Sequence, residues 1–316
     1  MYNVYNSNRA MATNLSRTIA AGERPDLLSK RGQVFSLAGS YIEVLKPLPT
    51  VLLTFIGVAT AVIAGGGQLS PRLLLVAAAV LIASAGANGL TNYLDRDIDT
   101  RMQRTCLRAL PSQAIFPSAK VLPMIIGLII IGLGLAWLLS PYVFLADAGG
   151  TLVAATWRKK VTCVYPQGVL ASCAPLLIGW LAVNPSLSWE LLLLCVLIAV
   201  WLPLHVWSVN ITYRDDYKQA GINYFPINLD VKDSVKVLLA FAVMLYAASI
   251  ALYFIGDFSW LYLTLANLLG ILMVAASLRL VFSPTAKDAW RLYRLSAFPY
   301  LGVIFLVMCL DIWLLG

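Results

Sequence analysis

The stretch 73–93, LLLVAAAVLIASAGANGLTNY, runs without a break into 94–108, LDRDIDTRMQRTCLR. Its first part carries no charge over 21 positions, about the length a helix needs to cross a hydrocarbon core roughly 30 Å thick. Its second part packs three aspartates and four arginines into 15 positions. A span that ends in so dense a charge cluster is a helix with one end in water. Asp95 and Asp99 lie four residues apart, so they share one helical face.

The rest of the chain repeats the first half of this pattern. Of its 316 residues, 60% are hydrophobic and 12% charged, and mean hydropathy is +0.81. A soluble domain has about 45–50% apolar and about 25% charged residues, so a soluble fold is excluded. Apolar segments fall at 48–66, 73–93, 121–139, 142–157, 168–183, 189–208, 235–255, 260–281 and 297–315. The expected fold is therefore all-α, a polytopic membrane protein with about nine transmembrane helices in one bundle. One membrane domain over 41–316 is expected to follow a disordered tail over 1–40. That tail is polar and lacks the apolar core of a cleaved signal peptide.

Charge fixes the orientation. Of the 23 Lys and Arg residues, all but Arg72 lie in the tail or in the loops after the second, fourth, sixth and eighth segments. Basic residues stay on the cytoplasmic side, so the tail and these loops are read as cytoplasmic and the C-terminus as extracytoplasmic. A formal charge of +8 then reflects topology rather than binding to nucleic acid. The five cysteines show no CxxC spacing and read as buried reduced thiols.

The same loops carry the chemistry. Two carboxylates on one face repel unless a hard cation with oxygen ligands sits between them, and Mg²⁺ held by one or two carboxylates plus substrate phosphates is the common arrangement. Arg104 and Arg108 follow and suit diphosphate oxygens. A second acidic cluster, Asp215 and Asp216 after Tyr213, follows the sixth segment, and Arg158, Lys159 and Lys160 supply a cationic element between the two. Together they read as an electrostatic cage for a diphosphate leaving group. A solvated juxtamembrane cluster obeying topology alone is the blander reading. Walker-type, nucleophile-elbow and zinc patterns are absent, and His205 is the only histidine. Acids crowded at helix ends also speak against a transporter, whose sites lie near the midplane.

These residues resemble the UbiA-type membrane prenyltransferases and, within them, the haem O synthases. The stretch from Asn92 through Asp95 and Asp99 to Arg104, Arg108 and Leu110-Pro111-Ser112 is similar to that family's first aspartate motif. Pro203, His205 and Trp207 resemble its Pro-x-His-x-Trp pattern, and Asp215-Asp216-Tyr217 with Ala220-Gly221 its second acidic motif. The likeness covers roughly residues 40–311. There are departures. Thr91 stands where the family usually has Asn, four residues before the first motif Asp, with Asn92 adjacent and Asn88 about one turn earlier. Ala109 replaces a usual Pro, Gln113 a usual Gly, and Arg158-Lys159-Lys160 only approximates the cationic motif.

The resemblance implies a cytoplasm-facing cavity, Mg²⁺-dependent ionisation of farnesyl diphosphate, and attack on the allylic cation by a vinyl group of haem B to give haem O. It also implies a prokaryotic inner or plasma membrane location and association with proteins of haem A synthesis or oxidase assembly. The expected metal ligands are Asp95, Asp99, Asn92 and Asp215. Asp216 and Tyr213 join the catalytic set, Arg104, Arg108, Arg158, Lys159 and Lys160 bind diphosphate, and His205 contacts the acceptor. An aromatic or quinone-precursor acceptor is the alternative. His205 and Tyr213 read equally well as a packed ring and a helix-end residue.

Overall fold

The computed structural model describes residues 37–156 and 164–315. Among them the chain is all-α. Helix α1 (Leu37–Val44) begins inside the polar stretch expected to end at residue 40, and α2 (Pro47–Ala64) follows after Lys46. Pro47 opens α2 at a position where a missing N–H leaves nothing unsatisfied. Then come α3 (Arg72–Asp99), α4 (Leu122–Leu139), α5 (Pro141–Thr156), α6 (Val169–Leu181) and α7 (Trp189–Thr212). The short α8 (Arg214–Gln219) precedes α9 (Val231–Ile255), α10 (Trp260–Phe282), α11 (Ala286–Leu295) and α12 (Val303–Leu315). Between the last two the backbone departs from helix at Ala297.

Seven of the described helical stretches are long and apolar enough to cross a membrane. The other two of the nine expected segments fall on α5 and α6, of 16 and 13 residues. At about 1.5 Å per residue, each rises less than the thickness of a hydrocarbon core. Residues 157–163, with Arg158, Lys159 and Lys160, lie outside the described residues, as does the tail through 36.

Two apolar cores hold the bundle. One joins α2, α6, α7, α9, α10 and α12, and the other joins α2 to α3, α4, α5 and α6. Helix α2 thus lies between the halves, and its crossing with α6 is close. A Cβ on Gly179 would sit 1.9 Å from the Gly57 carbonyl oxygen, so the helix axes meet backbone to backbone. Close approach through small residues is how membrane helices gain packing when lipid offers no hydrophobic drive. Ile126, Ile130, Trp137 and Leu138 on α4 face outward, as lipid contact requires.

One buried carboxylate is met by backbone donors. Asp311 on α12 accepts from the Ser259 N–H at 2.7 Å and the Tyr262 N–H at 3.0 Å, so its carboxylate caps the N-terminus of α10. At the opposite end of the bundle, Ile98 and Met102 pack on Tyr217, Ala220, Ile222 and Ile227. This small apolar seam draws the two acidic loops together.

Candidate active site

Asp95 is buried, near the last turn of α3, and lines a cavity of about 290 Å³ enclosed by α2, α3, α5, α6 and α7. Asn88 and Thr91, on the same face of α3, line it too, and Asn210 joins them from the last turn of α7. Lys46 reaches in and donates to Thr91 Oγ1 at 3.1 Å, while Asn88 donates to Thr50 Oγ1 at 3.0 Å. Tyr217 and Tyr224 close the loop end. Away from that end the walls are small and mostly apolar, with Ala83, Ala87, Ala174, Pro175 and Ile178 beside Ser84, Asp147 and Thr151.

Asp99 opens elsewhere. It lines a second hollow with Asn92, Arg108, Glu43 and Lys46, so the two aspartates expected to act as a pair face different spaces, with Lys46 common to both. Asp99 accepts from Thr105 Oγ1 at 3.0 Å and faces Arg108 Nη1 at 3.5 Å. Burial lowers the Arg108 pKa and the Asp99 charge opposes that shift. Asn92, expected as a metal ligand beside Asp95, is not among the residues lining the Asp95 cavity: its amide donates to the Val44 carbonyl at 2.7 Å and it lines the Asp99 hollow. Residues 88 and 91, not 92, line the cavity with Asp95.

The second acidic stretch meets the first through Asp216. Its carboxylate accepts from the Gln103 N–H at 2.6 Å and the Arg104 N–H at 3.1 Å, which latches α8 to the loop after α3. Asp215 is exposed on α8. Arg104 donates to the Tyr217 hydroxyl at 3.4 Å and lies over the Tyr213 ring at 5.3 Å. Burial raises the Tyr217 pKa, which keeps the phenol protonated. Arg104, Asp216, Tyr213 and Tyr217 are therefore brought together, beside the mouth of the cavity.

His205 is placed differently from expectation. It stacks on Trp201 at 4.8 Å, lies against Tyr293 at 4.5 Å, and its Nδ1 bonds the Ser296 hydroxyl at 2.9 Å. It packs between α7 and α11 and is not among the residues lining the Asp95 cavity, which favours the packed reading. Asp147 went unnoticed in the sequence. It is buried on α5 and lines the cavity, with Thr151 Oγ1 at 3.4 Å. A lone acid inside the fourth apolar segment was the available signal, since ionisable groups within spans mark function by default.

Among the described residues no three acidic, histidine or cysteine side chains converge on one point. The donors around Asp95 are instead one carboxylate and carboxamides, and Asn210 Oδ1 is buried without a partner. An all-oxygen set of low charge fits Mg²⁺ when substrate phosphates complete the coordination.

The model of the UbiA prenyltransferase family matches residues 50–302. The chain belongs to this family. A protoheme IX farnesyltransferase of Desulforudis audaxviator (strain MP104C) is 36% identical over 285 residues, covering 88% of this chain and 89% of that protein. A digeranylgeranylglyceryl phosphate synthase structure superposes with a TM-score of 0.71 at 18% identity, covering 88% of this chain and 99% of that one. A UbiA homologue from Archaeoglobus fulgidus bound to GPP and Mg²⁺ superposes at 0.56 with 14% identity, covering 85% and 99%. The chain is thus a member of a prenyltransferase family with that family's helical membrane fold.

Proposed function

We propose that the chain transfers a farnesyl group from farnesyl diphosphate to a vinyl group of haem B, giving haem O, with Mg²⁺ as cofactor. One observation carries the reading: a single cavity has a buried carboxylate and amides at its loop end and, beyond them, small and mostly apolar walls interrupted by Asp147 and Thr151. Such a space takes a diphosphate at the polar end and a hydrocarbon chain along the rest. Relatives named as protoheme IX farnesyltransferases, matched over most of the chain, support haem as acceptor.

Asp95 and Asn88 would hold the metal, which when bound neutralises the departing diphosphate. Lys46, Arg104 and Arg108 add positive charge at the same end, and we assign Arg158, Lys159 and Lys160 to this group as well. Asp215 is exposed on α8 beside Asp216. Asp99 orients Arg108, and Asp216 holds the Arg104 backbone, so both position cations. The Tyr213 and Tyr217 rings fix the Arg104 side chain. The apolar walls keep water from quenching the allylic cation. We assign this end to the cytoplasm, a reading the basic loops support.

At about 290 Å³ the cavity sits at the lower edge of the range of roughly 300–1,000 Å³ common for small-molecule sites. It holds one prenyl chain, and the macrocycle approaches from the mouth. That same size favours a phenolic acceptor as the second reading. Incubating purified protein with farnesyl diphosphate, Mg²⁺ and either haem B or a phenolic acid separates the two. A farnesylated, hydrated haem by mass supports the proposal, and a prenylated phenol with unchanged haem replaces it.

A further inference from the structure

Asp147 is a carboxylate where hydrocarbon is expected. It is 4% exposed, sits inside the apolar helix α5, and among the described residues its one hydrogen-bond partner is Thr151 Oγ1, at a long 3.4 Å. A buried acid without a cation beside it is costly, and in an apolar membrane segment it marks function. Among the described residues Lys46 is the only Lys or Arg lining the same cavity, and it bonds Thr91 at the loop end. Asp147 lies at the other end. Val143, about one turn earlier on α5, packs with Val76, Val80 and Ile178 in an apolar core that closes the space on the side away from the loops. Ala83 and Ser84, about one turn beyond Val80, line the cavity and precede Asp95 on α3 by about three turns, a rise of about 17 Å. Gly150 lets α5 meet α6 at Ala174 with no room for a Cβ, which holds the Asp147 face of α5 to the cavity. The floor of a mostly apolar slot is therefore polar.

We infer that Asp147 stops the hydrocarbon tail of the donor and so sets the prenyl length that the cavity takes. This rests on the prenyl diphosphate reading above and adds to it the residue that limits the substrate. With the diphosphate held at the loop end, a farnesyl tail fills the stretch between Asp95 and Asp147, and one more isoprene unit would lay its methyl groups on the carboxyl. That contact strips water from a polar group and offers no hydrogen bond in return. At about 290 Å³ the cavity has little room in which a longer tail could fold aside. The stop does not depend on charge, since a protonated carboxyl is polar too.

The test reads donor length with no acceptor present. Purified protein in nanodiscs is titrated, with Mg²⁺, against non-ionisable thio analogues of farnesyl and geranylgeranyl diphosphate, and the two Kd values are compared by calorimetry. The wild type should bind the farnesyl analogue more tightly. Asp147→Ala and Asp147→Val remove both polar oxygens and should bind the geranylgeranyl analogue about tenfold or more tighter than the wild type does, with a far smaller change for the farnesyl analogue. Asp147→Asn keeps two polar atoms in the same shape and should keep the wild-type preference. Should the alanine variant not fold, the valine variant decides. A wild type without preference, alanine and valine variants that keep the wild-type ratio of Kd values, or an asparagine variant that loses it overturns the stop and leaves the prenyl diphosphate reading standing. Wild-type protein that binds neither analogue overturns both.

Discussion

Asp216→Ala is the perturbation whose size can be worked out from geometry. In the wild type the carboxylate accepts from two backbone amides, Gln103 at 2.6 Å and Arg104 at 3.1 Å, alongside the Arg104 bond to the Tyr217 hydroxyl and the packing of Met102 on Tyr217. A hydrogen bond to a charged group contributes roughly 1.5–3 kcal/mol. Each tenfold change in an equilibrium corresponds to about 1.4 kcal/mol, so each amide should exchange with solvent about 10 to 100 times faster once its acceptor is gone. Hydrogen exchange followed by mass spectrometry on peptides covering 100–108 measures this, with α9 peptides as internal control. Asp216→Asn keeps one acceptor oxygen and should fall between. Because Arg104 is displaced, the KM for the prenyl diphosphate should rise more than kcat falls. Exchange at Gln103 and Arg104 that stays at the wild-type rate would refute the latch.

Three other outcomes follow from the same contacts. Asp99→Asn removes the charge facing Arg108 and weakens the bond from Thr105, so it should cost about 1–3 kcal/mol of stability and raise the KM for the diphosphate; a kcat collapse at normal KM would mark Asp99 as a direct metal ligand. His205→Ala empties a site between two rings and should lower stability by roughly 2–4 kcal/mol, impairing use of donor and acceptor alike. A selective loss of haem binding in that variant would reinstate His205 at the acceptor. Gly179→Ala forces a methyl against the Gly57 carbonyl oxygen and should prevent stable folding, as judged by size-exclusion profile and thermal melt; a wild-type melt would show that α2 and α6 do not meet so closely.

Much of this architecture is written in the chain. Spans as apolar as 73–93 leave a helical membrane bundle as the sole outcome, because backbone groups in lipid must be satisfied internally. Asp95, Arg104 and Asp216 stand out in the sequence because they are charges crowded at span ends, and Tyr213 because it precedes the second acidic cluster. The short helices α5 and α6 fall on the apolar segments 142–157 and 168–183, and what the apolar pattern does not reveal is that each is too short to cross a hydrocarbon core. Side-chain direction was the larger gap. Asn88 and Asn92 are both one helical turn or two from Asp95, and only contacts with residues 38 and 48 positions away decide which one faces the cavity. His205 likewise owes its place to Ser296 and Tyr293, on a helix far along the chain. Asp147 was visible as a lone acid, but its direction depends on how α5 packs on α6.

The measurement nearest the central claim is farnesyl transfer itself, followed at both ends in one reaction. Purified protein in nanodiscs receives farnesyl diphosphate, haem B and Mg²⁺, and diphosphate release and haem mass are recorded together for the wild type and for Asp95→Asn. The account predicts equal amounts of diphosphate and of haem bearing a hydroxyethylfarnesyl group from the wild type, no product on chelating Mg²⁺, and none from a folded Asp95→Asn. Undiminished haem farnesylation by Asp95→Asn, or wild-type protein that leaves haem unmodified with both substrates and metal present, would contradict it.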